Sequence, residues 1–572
     1  MIRIPYGKSN YKILVDERYF YQDRTSYIQT LENWSATYLL YLRPRRFGKS
    51  LFLSTLQYYY GLEYKNEFNY LFGATFIGKN PTPQANNYLI LSFDFSGIDT
   101  STEQGVFNGF LNNIKKGIDA FLTHYDTLFT KEQAQIILDQ KQPNDVIKEL
   151  FSCYTHNKLE TAIYILIDEY DHFANELISF NFKYFEKSVT ENGFVRKFYE
   201  TIKTATGSSI VDRLFITGVS PITLDSMTSG FNIGSNISLR PAFHSMMGFE
   251  EHEVRGILEG IDVKKEEITP VLNDLRDWYD GYLFHIRAAS HVYNPDMVLY
   301  FAEQFQAEGR YPDNLLDPNI ASDYSKIRNL FKIQQREHDN INALRILTDT
   351  GEITAELTHQ FSLQKDFSRD DLVSLLFYMG FLTIRSEELG SHVFTFPNYV
   401  ISKLYADYFI SVIKEEAGLP IDNNDLNFAI RELAKWGNPQ LLYDKVTEVI
   451  KVLSTRDTKD FNEMSLKAIF VSLLHQQKFY YVHSEFEAER QYVDVFLETI
   501  RGYAVKFEVA FELKYVKKGE IVNVEKELDK AEIQLMNYMV TKKFTGRPNL
   551  KAFVVLVHGT ELHARPMRLD VE

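Results

Sequence analysis

Arg43-Pro44-Arg45-Arg46-Phe47-Gly48-Lys49-Ser50 ends in a glycine, an amine and a hydroxyl at consecutive positions. That order suits phosphate. Backbone N–H groups line a tight turn, Lys49 reaches the outer phosphates and Ser50 ligates Mg2+. Far along the chain, Asp494 and then Glu512-Leu513-Lys514 supply two carboxylates and an amine. Carboxylates that hold a divalent ion, with a lysine beside the attacking water, are what phosphodiester cleavage requires.

Both groups need elements that position them. An apolar run, Ala36 to Leu42, reads as a buried strand leading into the 43–50 loop. A helical stretch, Leu51 to Tyr60, follows and adds its N-terminal dipole to anion binding. The usual first glycine of such a loop is replaced by Arg43, while Arg45 and Arg46 add two cations. Phe47 and Leu51 complete the binding segment. A second strand, Tyr88 to Phe93, ends at Asp94, and a third, Ala162 to Ile167, ends at Asp168-Glu169. Asp168 suits a Mg2+-water anchor and Glu169 a base that orients the attacking water; an acidic pair there also suits a helix cap. A fourth strand, Leu214 to Thr217, ends at Gly218-Val219-Ser220. Thr217 and Ser220 are expected either to sense the γ-phosphate or to cap the turn. Strands separated by helical stretches predict a parallel sheet with flanking helices.

At the other end, residues two apart in a strand share a face, so Glu512 and Lys514 project together. Asp494 lies in an earlier strand, Tyr492 to Leu497, and a turn at Arg501-Gly502 brings it beside Glu512. A helix from near Glu463 precedes this block, and a helix over 525–541 and a strand, Ala552 to Val557, follow. A Glu-x-Lys pair also occurs as a solvated pair on exposed strands. Between the two ends the pattern is helical from about residue 250. Residues 371–396 read as a helix and two short strands, in a winged-helix module or a plain helix–hairpin. The opening segment, Tyr11 to Glu32, mixes a short strand pattern with a helical one.

The chain has 572 residues, enough for about three or four domains. Its 36 Tyr and 44 Phe predict aromatic-rich cores. One cysteine, Cys153, excludes an intramolecular disulfide and a cysteine-based zinc ribbon. No signal-like apolar segment opens the chain and no apolar run is long enough to span a bilayer, so a cytoplasmic protein is expected. The formal net charge of −15 repels a phosphate backbone at long range. Contact with nucleic acid therefore needs a local basic surface, for which Lys517, Lys518, Lys542, Lys543 and Arg547 are candidates.

Beyond the two motifs, the strings Asp23 to Ile28, Arg43 to Ser50, Ser92 to Ser96, Leu166 to Asp171, Phe215 to Pro221, Tyr279 to Phe284 and Val292 to Pro295 carry a resemblance. The chain resembles bacterial AAA-ATPase-like proteins with a C-terminal PD-(D/E)XK nuclease superfamily domain. In that family the loop signature itself begins with arginine, so Arg43 does not mark a dead site. The resemblance implies ATP and Mg2+ as cofactors. It adds Glu487 to Asp494, Glu512 and Lys514, and Ala531, Gln534 and Tyr538 as partner residues on the following helix. The chain departs from the family at Gln491-Tyr492, where Gly-Arg is usual.

The expected organisation is an α/β multidomain chain. An AAA-like P-loop ATPase domain spans 1–260, a helical and winged-helix-like middle domain 261–420, and a restriction-endonuclease-like domain 421–572. The expected function is ATP binding and hydrolysis coupled to Mg2+-dependent cleavage of nucleic acid, DNA before RNA. The alternative is a nucleotide-switched module whose nuclease-like fold binds nucleic acid or protein without cutting. Self-assembly is also expected, and no membrane partner.

Overall fold

A computed structural model describes residues 1–180, 182–190, 192–222, 233–317, 320, 343, 346–347, 350–361, 367–417, 423–456, 462–488, 491–501 and 503–567. The side chains of 178–180, 182–183, 409, 412–417, 423, 453–456, 464, 485–488 and 491 lie outside that description. The chain divides into two compact units. One holds Met1–Gly309 with Thr354–Asn398, and the other holds Tyr399–Glu572.

The first unit is built on five parallel strands: β1 (Tyr38–Leu42), β2 (Leu89–Asp94), β3 (Ile163–Asp168), β4 (Val211–Gly218) and β5 (Ser235–Asn236). Their order is β2-β3-β4-β1-β5. Every residue of β3 is buried, as expected for a strand covered on both faces. The short edge strand β5 carries no sequence signal and was not expected. Rings form the core beside the sheet: Phe95 stacks on Phe110 with centroids 4.6 Å apart, and Phe198 meets Phe93 edge-on.

The opening segment differs from its strand-like reading. Tyr11–Asp16 forms a helix, α1, and Ser26–Glu32 a second, α2. The Asn10 side chain accepts from the Ile13 N–H, and this cap starts a helix that apolar periodicity alone reads as strand. The helix after β1, α3 (Lys49–Tyr60), starts two residues earlier than its apolar pattern, because Gly48 adopts φ 91°. That left-handed conformation favours glycine and turns the chain directly into the helix. Within the same unit α4 (Arg369–Tyr378) leads into a hairpin of β6 (Thr383–Glu388) and β7 (Ser391–Thr395), as the helix-and-two-strands pattern predicts.

The second unit opens with helices α5 (Tyr399–Ala417), α6 (Asn423–Trp436), α7 (Gln440–Arg456) and α8 (Glu463–Leu474). Strands β8 (Tyr480–Ala488), β9 (Gln491–Thr499), β10 (Glu508–Val516), β11 (Leu550–His558) and β12 (Glu561–Pro566) form a mixed sheet in the order β12-β11-β10-β9-β8. Between β10 and β11, which run parallel, the chain crosses over through α9 (Val524–Met539). Leu528, Ala531 and Leu535 of α9 pack on Ala510 and Val554. Phe511, on the opposite face of β10, packs against Phe470 of α8.

Candidate functional sites

The first site lies at the carboxyl ends of β1, β3 and β4, where ligands of open α/β sheets bind. These three strands are neighbours, so the loop after β1, the acidic pair after β3 and Thr217 in β4 converge without a long connection. Thr217 pairs with Tyr41 in the sheet, and its hydroxyl donates to Asp168 Oδ1 at 2.5 Å. Ser50 also hydrogen-bonds the Asp168 carboxylate. Burial raises the Asp168 carboxyl above its ordinary value, against the pull of these two hydroxyls.

Lys49 is buried and its ammonium donates to the carbonyls of Arg43 at 3.0 Å and Pro44 at 2.9 Å. Burial lowers its pKa, while Glu169, Asp168 and Asp171 oppose that. Glu169 has φ 49°, a left-handed conformation that costs a non-glycine residue about 1 kcal/mol. Its carboxylate sits 2.9 Å from His172 Nδ1. Burial works to raise the Glu169 carboxyl, but His172, Lys49 and Arg45 outweigh it and hold it at about 2. Arg45 lies 3.4 Å from His172. Arg46, also left-handed at φ 64°, pairs with Asp296 at 3.0 Å.

Arg43 faces away from the Gly48–Ser50 turn. Its buried guanidinium donates to the carbonyls of Leu42, Ser238, Phe243 and His244 at 2.8–3.2 Å. It also lies 4.0 Å over the Phe284 ring and 4.4 Å over Tyr41. Phe47 packs edge-on to Tyr282 and Phe284. Arg43 and Phe47 therefore anchor the loop from behind, leaving Gly48, Lys49 and Ser50 at the pocket. Ser220 sits farther back: it is buried, its N–H and hydroxyl bond Asp171, and its hydroxyl meets Asn175 at 2.7 Å.

A pocket of about 300 Å³ opens beside this turn, lined by Gly48, Lys49, Ser50, Leu51 and Glu169 on one side. Tyr21, Met247, Phe249 and Leu299 give it an apolar side, and Arg24, Arg46 and Asp296 a polar one. Sequence reasoning did not assign Tyr21, Met247, Phe249, Leu299 or Asp296 to a site. They come from separate segments, and no spacing rule joins them.

The second site lies in the second unit on β9 and β10. These strands are antiparallel with Val495 opposite Phe511, so the next step along the ladder sets Asp494 beside Glu512. Asp494 Oδ2 accepts from the Leu513 N–H at 2.8 Å. Lys514 Nζ stands 3.1 Å from Glu512 Oε1 and 3.3 Å from Glu463 Oε1. Glu512 is fully buried, and neither of its oxygens accepts a hydrogen bond among the described residues. Burial first and Asp494 second push the Glu512 carboxyl up to about 8. Burial also raises Asp494. Burial works to lower Lys514, but Glu512, Glu463 and Asp494 outweigh it and raise it.

Two further residues join this cluster. Glu463, in the first turn of α8, also accepts from the Tyr515 N–H. Lys467, one turn later and buried, reaches Asp494 at 4.0 Å. An acidic first turn on the helix before the sheet is the signal that could have found Glu463. Gln534 donates to the Tyr538 hydroxyl at 2.5 Å, and the charges of Glu512 and Asp494 act on that hydroxyl. Glu487 stands opposite Tyr492 in the β8–β9 ladder, and its side chain lies outside the described residues. One expected basic-patch residue is otherwise engaged: Arg547 pairs with Glu498 and Glu508, each at 2.9 Å.

Comparison with known families matches a separate stretch of each unit. Residues 5–228 match the family model for a predicted AAA-ATPase, and residues 461–565 match that of the PD-(D/E)XK nuclease superfamily. The chain carries one domain of each kind. The AAA-ATPase-like match holds the phosphate loop, Asp168-Glu169 and Thr217, and the nuclease-superfamily match holds Asp494, Glu512 and Lys514. An uncharacterized protein in the vnfD 5' region of Azotobacter chroococcum mcd 1 is 25% identical over 316 residues. That stretch is 53% of this chain and 52% of that protein, so the match spans about half the length of each. Among the described residues no helix is long and apolar enough to cross a membrane.

Proposed function

We propose that the chain binds and hydrolyses ATP in its first unit and cleaves nucleic acid, DNA before RNA, with Mg2+ in its second. The observation that supports cleavage most directly is Glu512. It is a fully buried carboxylate beside a second carboxylate, with the Lys514 ammonium at 3.1 Å as its one close cation, and one ammonium leaves two neighbouring buried carboxylates undercompensated unless a further cation joins them. The donor set is all oxygen, which suits Mg2+. Asp494 and Glu512 would hold the ion, which when bound supplies a Lewis acid and a lower pKa for a bound water. Lys514, held between Glu512 and Glu463, keeps an amine on the same side, where an anionic phosphodiester needs a positive partner.

In the ATP site, Lys49 gives up its bonds to the Arg43 and Pro44 carbonyls to meet the β/γ-phosphates. Ser50 and Asp168 would hold Mg2+, and Asp168 is positioned for this by Thr217. Glu169 is ionised and oriented by His172, as a water-orienting base requires. Nucleotide turnover in one unit is then the means of licensing cleavage in the other.

The test is a cleavage assay on single- and double-stranded DNA and RNA with Mg2+ or Mn2+, with and without ATP. Metal-dependent cleavage that disappears in Asp494→Asn supports the proposal. Nucleic-acid binding without cleavage under any of these conditions replaces it with a nucleotide-switched binding module.

A further inference from the structure

A second pocket lies in the first unit, away from the phosphate loop. It encloses about 860 Å³ beside β1, β4 and the edge strand β5. Leu40, Ile216 and Ile384 are among its apolar lining, while Arg240, Arg287, His285, His359 and His392 bring cationic or titratable nitrogens to it. Glu387 is the acidic residue in the lining. The size falls in the range of small-molecule sites, and apolar walls with a few convergent polar groups are their usual make-up.

These nitrogens line one cavity, and their electrostatics agree with that placement. The Arg287 N–H donates to His285 Nδ1 at 2.9 Å, so the neutral ring carries its proton on Nε2 and can donate from there. The His285 imidazole is held below its ordinary value by burial and then by Arg287, His392 and Arg240, with Glu387 opposing. His359 is lowered in the same way, by burial and then by His392 and Arg240. Groups on the 240, 285, 359 and 392 segments therefore sense one another's charge. The walls are also held in place. Arg43 hydrogen-bonds the Ser238, Phe243 and His244 carbonyls that flank Arg240, and stacks on Phe284, itself part of the lining.

We infer that this pocket is a second ligand site, for a small phosphate-bearing molecule of the nucleotide class. Arg240 and Arg287 are exposed and able to meet a phosphate with paired N–H donors, and the histidine N–H groups add further donors. The apolar wall takes the flat base. Among the described residues no glycine-rich turn or Mg2+ anchor lines this pocket, and the ligand is held without the phosphate-transfer machinery of the first site.

The test uses the full-length chain carrying Lys49→Ala, so that it does not depend on the ATP-site reading. AMP and ribose 5-phosphate are titrated calorimetrically into this protein and into the same protein with Arg240→Ala and Arg287→Ala. AMP should bind the Lys49→Ala chain, at least about tenfold more tightly than ribose 5-phosphate, and lose at least about tenfold when the two arginines are removed. The Arg240→Ala/Arg287→Ala chain should keep the circular dichroism spectrum and the denaturant midpoint of its parent, which shows that these exposed positions leave the fold unchanged. Absence of AMP binding, or binding indifferent to the two arginines, overturns the inference. A parallel titration with oligothymidylates of increasing length separates the remaining case. Affinity that rises with length and falls steeply with salt would make the pocket a nucleic-acid contact instead.

Discussion

The Lys49 ammonium and the Arg43 carbonyl oxygen are 3.0 Å apart, joined by a hydrogen bond that spans the phosphate-binding turn. The next-to-last residue of the motif thus bonds the backbone of the first. Under the proposed function, nucleotide phosphates take over this donor. Lys49→Ala should therefore weaken ATP binding at least tenfold, about 1.4 kcal/mol, with the fold retained. Fluorescent-nucleotide titration with circular dichroism checks both parts, and unchanged affinity would remove the phosphate-loop assignment.

Arg43 replaces a glycine and works as a buried anchor. Arg43→Lys keeps the charge but cannot satisfy four carbonyls with one ammonium in a fork geometry. Each buried carbonyl left without a donor costs about 1–3 kcal/mol. We expect Arg43→Lys and Arg43→Gly to lose at least about 2 kcal/mol of stability in denaturant unfolding. A glycine variant as stable as wild type would contradict the anchoring role.

Glu169→Gln preserves size but removes the ionised carboxylate that His172 orients. ATP binding should persist while turnover falls about 10²-fold or more, as expected on losing a general base. Asp168→Asn should impair the Mg2+ dependence as well. If steady-state phosphate release is at the wild-type rate in both variants, the acidic pair is only a cap.

In the second unit, Asp494→Asn and Lys514→Ala should each reduce cleavage about 10²-fold or more and leave ATP turnover unchanged. Removing divalent metal with EDTA should abolish cleavage in the wild-type chain. Cleavage that survives Asp494→Asn would place the chemistry elsewhere.

His244 gives a pH dependence. It is buried with Nε2 donating to the Ser290 carbonyl, and burial, then Arg43, lower its pKa from 6.5 to about 4. The unfolded chain takes up the proton first as pH falls, so stability is complete above about 6.5 and declines down to about 4. The difference corresponds to about 3 kcal/mol. His244→Gln retains a donor and should flatten that decline, measured by urea unfolding across this range. An equally steep decline in the variant would assign it to other groups.

Local order in the chain already determines much of this protein. Apolar runs that end in Asp168-Glu169 or lead into Gly48-Lys49-Ser50 point to strand ends, because a parallel strand buried on both faces is mostly apolar and its charged residues gather near its ends. The alternation of Glu512 and Lys514 specifies a shared face for the same reason of strand geometry. The spacing of Asp494 and Glu512 across a turn predicted their neighbourhood, and the ladder beginning at Val495 and Phe511 provides it. Tertiary structure decided the rest. Whether Tyr11–Asp16 is helix or strand rested on a single cap at Asn10. The role of Arg43 depends on carbonyls about two hundred positions away, and Glu463 reaches Lys514 only because α8 starts beside β10. The apolar side of the pocket beside Gly48–Ser50 and the walls of the second pocket are likewise assembled from distant segments. Periodicity and motif spacing report what neighbours along the chain can do, whereas these contacts exist only once the sheets have brought remote segments together.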